Sequence, residues 1–213
     1  MLNTSETNPA KAPDDKNEKA SSPLRELLSW IEVIAIAVIL ALLLNNFVIV
    51  NATVPTGSME NTIMPGDRLL GLRLTYLFSD PQRGDIVVFK YPVDESVNYI
   101  KRIIGLPGET VEIRDSKVYI NGSETPLEED YLKEEWVDVN DGFTFQVPED
   151  CYLMMGDNRN DSSDARYWAG EALKEGLAST PEEAESYCYV HRDKILGKAY
   201  VRYWPLNKIS YLY

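Results

Sequence analysis

The sequence predicts an all-β domain behind a single N-terminal transmembrane helix. Two observations predict it. A mostly apolar run at residues 27–44 is interrupted only by Ser29 and Glu32. Beyond it, nine short runs rich in β-branched and aromatic residues alternate with turn residues, the pattern of a sandwich or barrel.

The apolar run has 18 residues. At helical rise it spans roughly 27 Å, close to the ~30 Å hydrocarbon core. Trp30 and Glu32 fall at its N-terminal edge, where an interfacial ring and a reaching carboxylate are tolerated. Lys11, Lys16, Lys19 and Arg25 precede the run, and the next positive charge after it is Arg68. Positive-inside counting puts residues 1–26 in the cytoplasm, the helix at 27–46, and residues 47–213 outside. The competing reading is a cleaved signal peptide. The run is long for that, and the tail before it is long and mixed in charge, so an uncleaved single-pass anchor in the cell membrane is favoured. Val50-Asn51-Ala52 still offers small residues where a cut would need them, and cleavage after Ala52 would release a soluble domain.

Residues 1–23 are polar and read as a disordered tail. Tail and anchor removed, enough chain remains for one domain with a core. Residues 51–213 carry 17 Lys/Arg and 28 Asp/Glu, a net charge of −11. That excludes nucleic acid as a partner, and electrostatic docking to anionic lipid. Lipid contact is left to the helix. Two cysteines, Cys151 and Cys188, make no disulfide framework, and their pairing stays open. With His191 the one histidine, a zinc site of the usual Cys/His type is excluded, and no cofactor is expected.

The strands follow in order. Residues 47–54 are β-branched. Residues 68–74 follow a Pro65-Gly66-Asp67 turn. Residues 85–91 are almost continuously apolar between Arg83-Gly84 and Pro92. Residues 99–104 end at Gly105-Leu-Pro-Gly108. Residues 111–114 and 117–120 form a tight hairpin across Asp115-Ser116, and Asn121-Gly122 is a second turn. Residues 143–147, 152–155 and 198–204 complete the set. Two stretches break the pattern. Residues 128–150 hold nine acidic residues and one lysine, and read as an exposed, solvated insertion. Residues 169–187 read as a short helical insertion, with Thr180-Pro-Glu-Glu183 as a helix start.

Ser58 is the candidate nucleophile. It lies 14 residues beyond Leu44, in Val54-Pro-Thr-Gly-Ser-Met-Glu60. A turn serine alone is weak evidence, since most bond only local backbone. In an extended segment Thr56 and Ser58 share a face, and Gly57 between them admits a substrate backbone. The Thr56 hydroxyl is then placed to join the Ser58 backbone N–H in holding an oxyanion. A serine needs a base. His191 lies among charged residues without a pocket. Lys101 is better: in Tyr99-Ile-Lys-Arg-Ile-Ile104, alternation sets it between Tyr99 and Ile103 on one face. Half-neutrality at pH 7 requires its pKa to fall by roughly 3.4 units, within the reach of full burial. Alone, Lys101 reads more readily as a lysine guarding a sheet edge. The third element is Gly156-Asp-Asn-Arg-Asn-Asp-Ser-Ser-Asp-Ala-Arg166. It is no calcium loop: the glycine at position six is missing and Trp168 sits at position twelve. Ser162 is placed to bond and orient the lysine. Asp157, Asp164, Arg159 and Arg166 are placed to form ion pairs that stiffen the loop.

Taken in order, VPTGSME, RGDIVVFKYP, YIKRIIGLPGE, GDNRNDSSDAR and the terminal ILGKAYVRYWP resemble the type I signal peptidase family, in its short Gram-positive-like form. One box is modest evidence; four in order behind an anchor are specific. The resemblance implies an all-β catalytic domain with a smaller β-rich insertion at about residues 110–145. It implies a Ser/Lys dyad of Ser58 and Lys101, with Thr56 and Ser58 at the oxyanion. It makes Ser162 the lysine-orienting residue, Asp157 the partner of Arg102, and Asp164 with Arg166 a second supporting pair. Val54, Pro55, Met59, Ile63, Tyr99 and Ile100 match positions lining shallow pockets for small side chains. One departure stands out: Asn61 occupies a position where the family often has proline.

The implied function is removal of signal peptides from secreted preproteins at small-x-small sites by a monomeric, membrane-anchored serine endopeptidase. Self-cleaving repressor-type peptidases share the dyad but are soluble, and the eukaryotic-type pattern has histidine where this chain has Lys101. The rival of another class is a catalytically silent, membrane-tethered β-module that binds secreted chains.

Overall fold

A computed structural model describes residues 23–137 and 141–212 of the chain. Residues 1–22 of the tail expected at 1–26, and residues 138–140 of the acidic stretch, lie outside the described residues, while residues 23–26 are already helical.

Helix α1 covers Pro23–Leu43, and a π turn continues it over Leu44–Val48. The helical stretch of 26 residues is long and apolar enough to cross a membrane. It claims two residues expected in the first strand. Ile49 N–H donates to Leu44 O, the i→i+5 bond of a π turn, so Phe47 and Val48 stay helical.

The rest of the chain, from Leu42, forms its own compact unit. Its elements are β1 (Ile49–Thr53), β2 (Arg68–Leu72), α2 (Thr75–Phe78), β3 (Ile86–Lys90), β4 (Asn98–Gly105), β5 (Thr110–Arg114), β6 (Lys117–Ile120), β7 (Thr144–Gln146), β8 (Cys151–Met155), α3 (Ala165–Lys174), α4 (Pro181–Glu185), β9 (Tyr189–His191), β10 (Ile195–Trp204) and β11 (Ser210–Tyr211). The main sheet is antiparallel, in the order β1-β2-β10-β3-β4-β8-β9, with β11 paired to β10. A smaller sheet runs β6-β5-β7. The unit is mostly β, as the sequence predicts.

Strand β3 explains its apolar run: it lies between β10 and β4, and Ile86, Val87, Val88 and Phe89 are all buried. The β5–β6 hairpin closes as expected, with Asp115 (φ 51°) and Ser116 (φ 56°) both left-handed, the requirement of a type I′ turn. Three elements were not expected: α2, β9 and β11. Each is four residues or shorter and carries no readable period.

The two insertions depart from expectation. Helix α3 begins at Ala165, earlier than residue 169, because Asp164 caps it by accepting from Arg166 N–H, and Trp168 is fully buried. The acidic stretch is not simply solvated surface. Trp136 is buried, and Glu129 pairs with the buried Arg159.

Candidate active site

Lys101 sits in the middle of the main sheet. It faces Val87 of β3, and the next residue, Arg102, faces Met155 of β8. Ser58 comes from outside the sheet. The segment after β1 leaves the ladder and turns back, with Glu60 N–H donating to Gly57 O at 3.0 Å and Ile63 N–H to Met59 O at 2.8 Å. The turn delivers Ser58 Oγ to 2.7 Å from Lys101 Nζ, although 43 residues separate them. Both are nearly sealed, Ser58 at 7% exposure and Lys101 at 4%. Thr56 Oγ1 is 3.5 Å from Ser58 Oγ. The two hydroxyls are neighbours, although the segment is a turn and not the extended strand expected.

The electrostatics suit a base. Burial pulls the Lys101 ammonium down to about 8; Asp164 and Asp157 oppose the drop, and Arg166 adds to it. Roughly a tenth of the lysine is then neutral at pH 7. The Tyr99 ring, 5.2 Å from Nζ, covers it on one side.

The loop from Gly156 to Arg166 braces the dyad. Arg102 donates to both oxygens of Asp157, Nε at 2.9 Å and Nη2 at 2.7 Å. Thr62 Oγ1 donates to the same carboxylate. Arg166 grips Asp164 twice at 2.8 Å, and Gly156 N–H donates to Asp164 Oδ2 at 3.0 Å. Burial alone would raise the Asp164 pKa, but Arg166, the Gly156 amide and Lys101 together lower it. Arg159 departs from the expected pairing within the loop: its partner is Glu129, while its Nε donates to Gly156 O at 2.9 Å.

Ser162 is also a correction. Its hydroxyl is buried and makes no hydrogen bond, so the expected bond to Lys101 is not formed. It lies instead against Gly156, where an added Cβ would come within 2.3 Å of Ser162 Oγ.

A cleft of about 460 Å³ opens at the dyad. Val54, Pro55, Tyr99 and Ile100 line it. Met59 and Ile63 do not. Both are fully buried in an apolar cluster with Val54, Leu69, Ile86, Ala199 and Leu212, so they carry the turn from beneath.

Sequence reasoning missed Asn158. Its backbone N–H donates to Ser58 O at 3.1 Å and its side chain to Gly57 O at 3.0 Å. It thus clamps the peptide on either side of Ser58. The signal was present, since Asn158 lies inside the polar loop that had been singled out.

The family described as "Signal peptidase, peptidase S26" matches residues 27–204. The chain belongs to this family. A signal peptidase I from Leptolyngbya laminosa is 39% identical, over 98% of this chain and 93% of the relative. A probable signal peptidase I-2 from Synechocystis is 36% identical, covering 93% and 83%. A signal peptidase I from Bacillus licheniformis is 38% identical, covering 78% and 91%. Signal peptidases I are serine endopeptidases, so this chain is a hydrolase and not a silent binding module.

Proposed function

We propose that this membrane-anchored peptidase removes N-terminal signal peptides from exported preproteins, cutting after small-x-small sequences with a Ser58/Lys101 dyad. The 2.7 Å contact between Lys101 Nζ and Ser58 Oγ, both nearly buried at the floor of the cleft, supports this reading best. The exported chain lies extended in the cleft beside residues 52–55, adding main-chain hydrogen bonds as a strand would. Shallow walls accept small side chains one and three residues before the cut.

Neutral Lys101 takes the Ser58 hydroxyl proton as Oγ attacks the scissile carbonyl carbon. The oxyanion is held by the Thr56 hydroxyl and the Ser58 backbone N–H. Collapse breaks the C–N bond, and the Lys101 ammonium returns its proton to the leaving amine, the new N-terminus of the mature protein. The signal peptide stays as an ester on Ser58. Lys101 then deprotonates a water, which attacks the ester and releases the signal peptide as a carboxylic acid, restoring the serine. Asp157 with Arg102, and Asp164 with Arg166, hold the loop that fixes this geometry.

The helix anchors the enzyme with residues 1–26 cytoplasmic and the peptidase unit outside. The 14 residues from Leu44 to Ser58 reach at most ~50 Å even when extended, which confines the site to substrates presented near the membrane. Cleavage of a model preprotein by full-length enzyme in lipid tests the reading. Ser58→Ala and Lys101→Met should each abolish it; full activity in either variant would sink the dyad.

A further inference from the structure

The acidic segment between β6 and β7 makes contacts that the dyad mechanism does not use. The Tyr131 ring stacks on the Arg102 guanidinium, 3.8 Å from its centroid, on the residue following Lys101. The Tyr131 hydroxyl donates to Glu129 Oε1 at 2.7 Å. Glu129 in turn receives both terminal nitrogens of Arg159, and that pair is almost wholly buried. The backbone reaches the nucleophile turn: Asn61 Nδ2 donates to Tyr131 O at 3.1 Å and Leu132 O at 3.2 Å. Lys133 pairs with Glu60 at 2.7 Å. The far end holds the loop, with Asn160 donating to Glu135 O and accepting from Val137 N–H, each at 2.9 Å.

One segment therefore grips three separate pieces of the site: the Ser58 turn, the strand position beside Lys101, and the 156–166 loop. The grip coincides with the family departure at Asn61. This residue is left-handed, at φ 87°, which proline, fixed near −65°, cannot adopt. The turn takes another path here, and its amide is tied to the acidic segment.

We propose that residues 129–137 are a positioning strap, in which Tyr131 and Glu129 hold Arg102 and Arg159 so that Ser58 and Lys101 stay in register. Tyr131 and Glu129 are positioning residues, acting through other side chains. This inference rests on the dyad reading for its kinetic arm only.

The test uses the full-length enzyme in lipid. Tyr131→Phe keeps the stack on Arg102 and loses only the hydroxyl bond, so it should lower kcat less than Tyr131→Ala does. Tyr131→Ala should lower kcat about 10- to 100-fold while KM changes less than about twofold, because misplaced reacting groups slow chemistry more than binding. Amide hydrogen exchange across residues 156–163 should quicken in Tyr131→Ala and not in Tyr131→Phe. If Tyr131→Ala fails to fold, Tyr131→Leu, which keeps bulk without a ring, takes its place. Unchanged kcat together with unchanged exchange would overturn the strap. If the wild type cleaves no preprotein, the dyad reading fails, and the exchange measurement alone decides the strap.

Discussion

Lys101 Nζ and Ser58 Oγ are 2.7 Å apart, and the lysine is buried where its ammonium is disfavoured. As an ammonium, Lys101 donates to the serine. Only after losing its proton can it accept the serine's. In the proposed mechanism, the value of about 8 sets the pH at which Lys101 becomes a competent base. We expect kcat/KM to rise with pH and level off above an inflection near 8. An optimum near pH 5, measured on a synthetic preprotein, would contradict a lysine base.

The same burial has a stability consequence. Lys101 is lowered from 10.5 to about 8 on folding, so between those values the unfolded chain binds more protons. Its charged form destabilises the fold fully below about pH 8, and the penalty fades as pH rises towards 10.5. Lys101→Met should therefore stabilise the peptidase at neutral pH, by on the order of 3 kcal/mol at most. Denaturant melts of the two proteins at pH 7 and pH 10 should show the gap shrinking at the higher pH.

Gly156 has no room for a side chain. A Cβ there would lie 2.4 Å from Ser58 O and 2.3 Å from Ser162 Oγ. The carbonyl is main chain and cannot swing aside. Gly156→Ala should displace the Ser58 turn and lower kcat by about 100-fold, with KM less affected. Steady-state kinetics on a folded sample check this.

Arg102 and Asp157 form a buried bidentate pair. Removing one partner strands the other charge. Asp157→Asn should cost about 3–5 kcal/mol, whereas the double variant Arg102→Met/Asp157→Leu should cost less. Chemical denaturation of the single and double variants gives the comparison.

Asn61 carries both a left-handed backbone and two hydrogen bonds. Asn61→Gly should keep the turn and lose about 1 kcal/mol per missing bond, while Asn61→Pro, the family-like residue, should do worse. Thermal melts and preprotein cleavage would rank the three proteins.

Ala52 is paired with Leu69 in the β1–β2 ladder. A cut after Ala52 needs that strand to leave the sheet and lie extended in a second cleft. Folded enzyme should keep its intact mass during storage at neutral pH. A fragment beginning at Thr53, seen by mass spectrometry, would refute this.

Much of the site was legible because its parts carry local signals. Lys101 and Arg102 alternate on one strand, so opposite faces follow from the period of two. The polar loop stands out against the apolar β8 that enters it. What was not legible was long-range. Nothing local tells that Glu129 meets Arg159, thirty residues away, so a glutamate-rich segment reads as solvated. Met59 and Ile63 read as pocket walls by position, yet a turn that leaves the sheet must bury something, and these two side chains fill that role. Ser162 reads as a lysine partner from its place in the polar loop, but that place does not tell which way the hydroxyl turns, and it lies against Gly156.

The proposed base and nucleophile are mounted differently. Lys101 pairs with Val87 of β3 and lies next to Arg102, where the ladder to β8 begins, whereas Ser58 rides on a turn outside the sheet, tied down by the backbone and side chain of Asn158. An engineer seeking new cleavage preferences should therefore diversify the cleft rim at Pro55 and Val97 and leave the β3–β4–β8 frame alone. The scissors are cast into the frame; the grip can be exchanged.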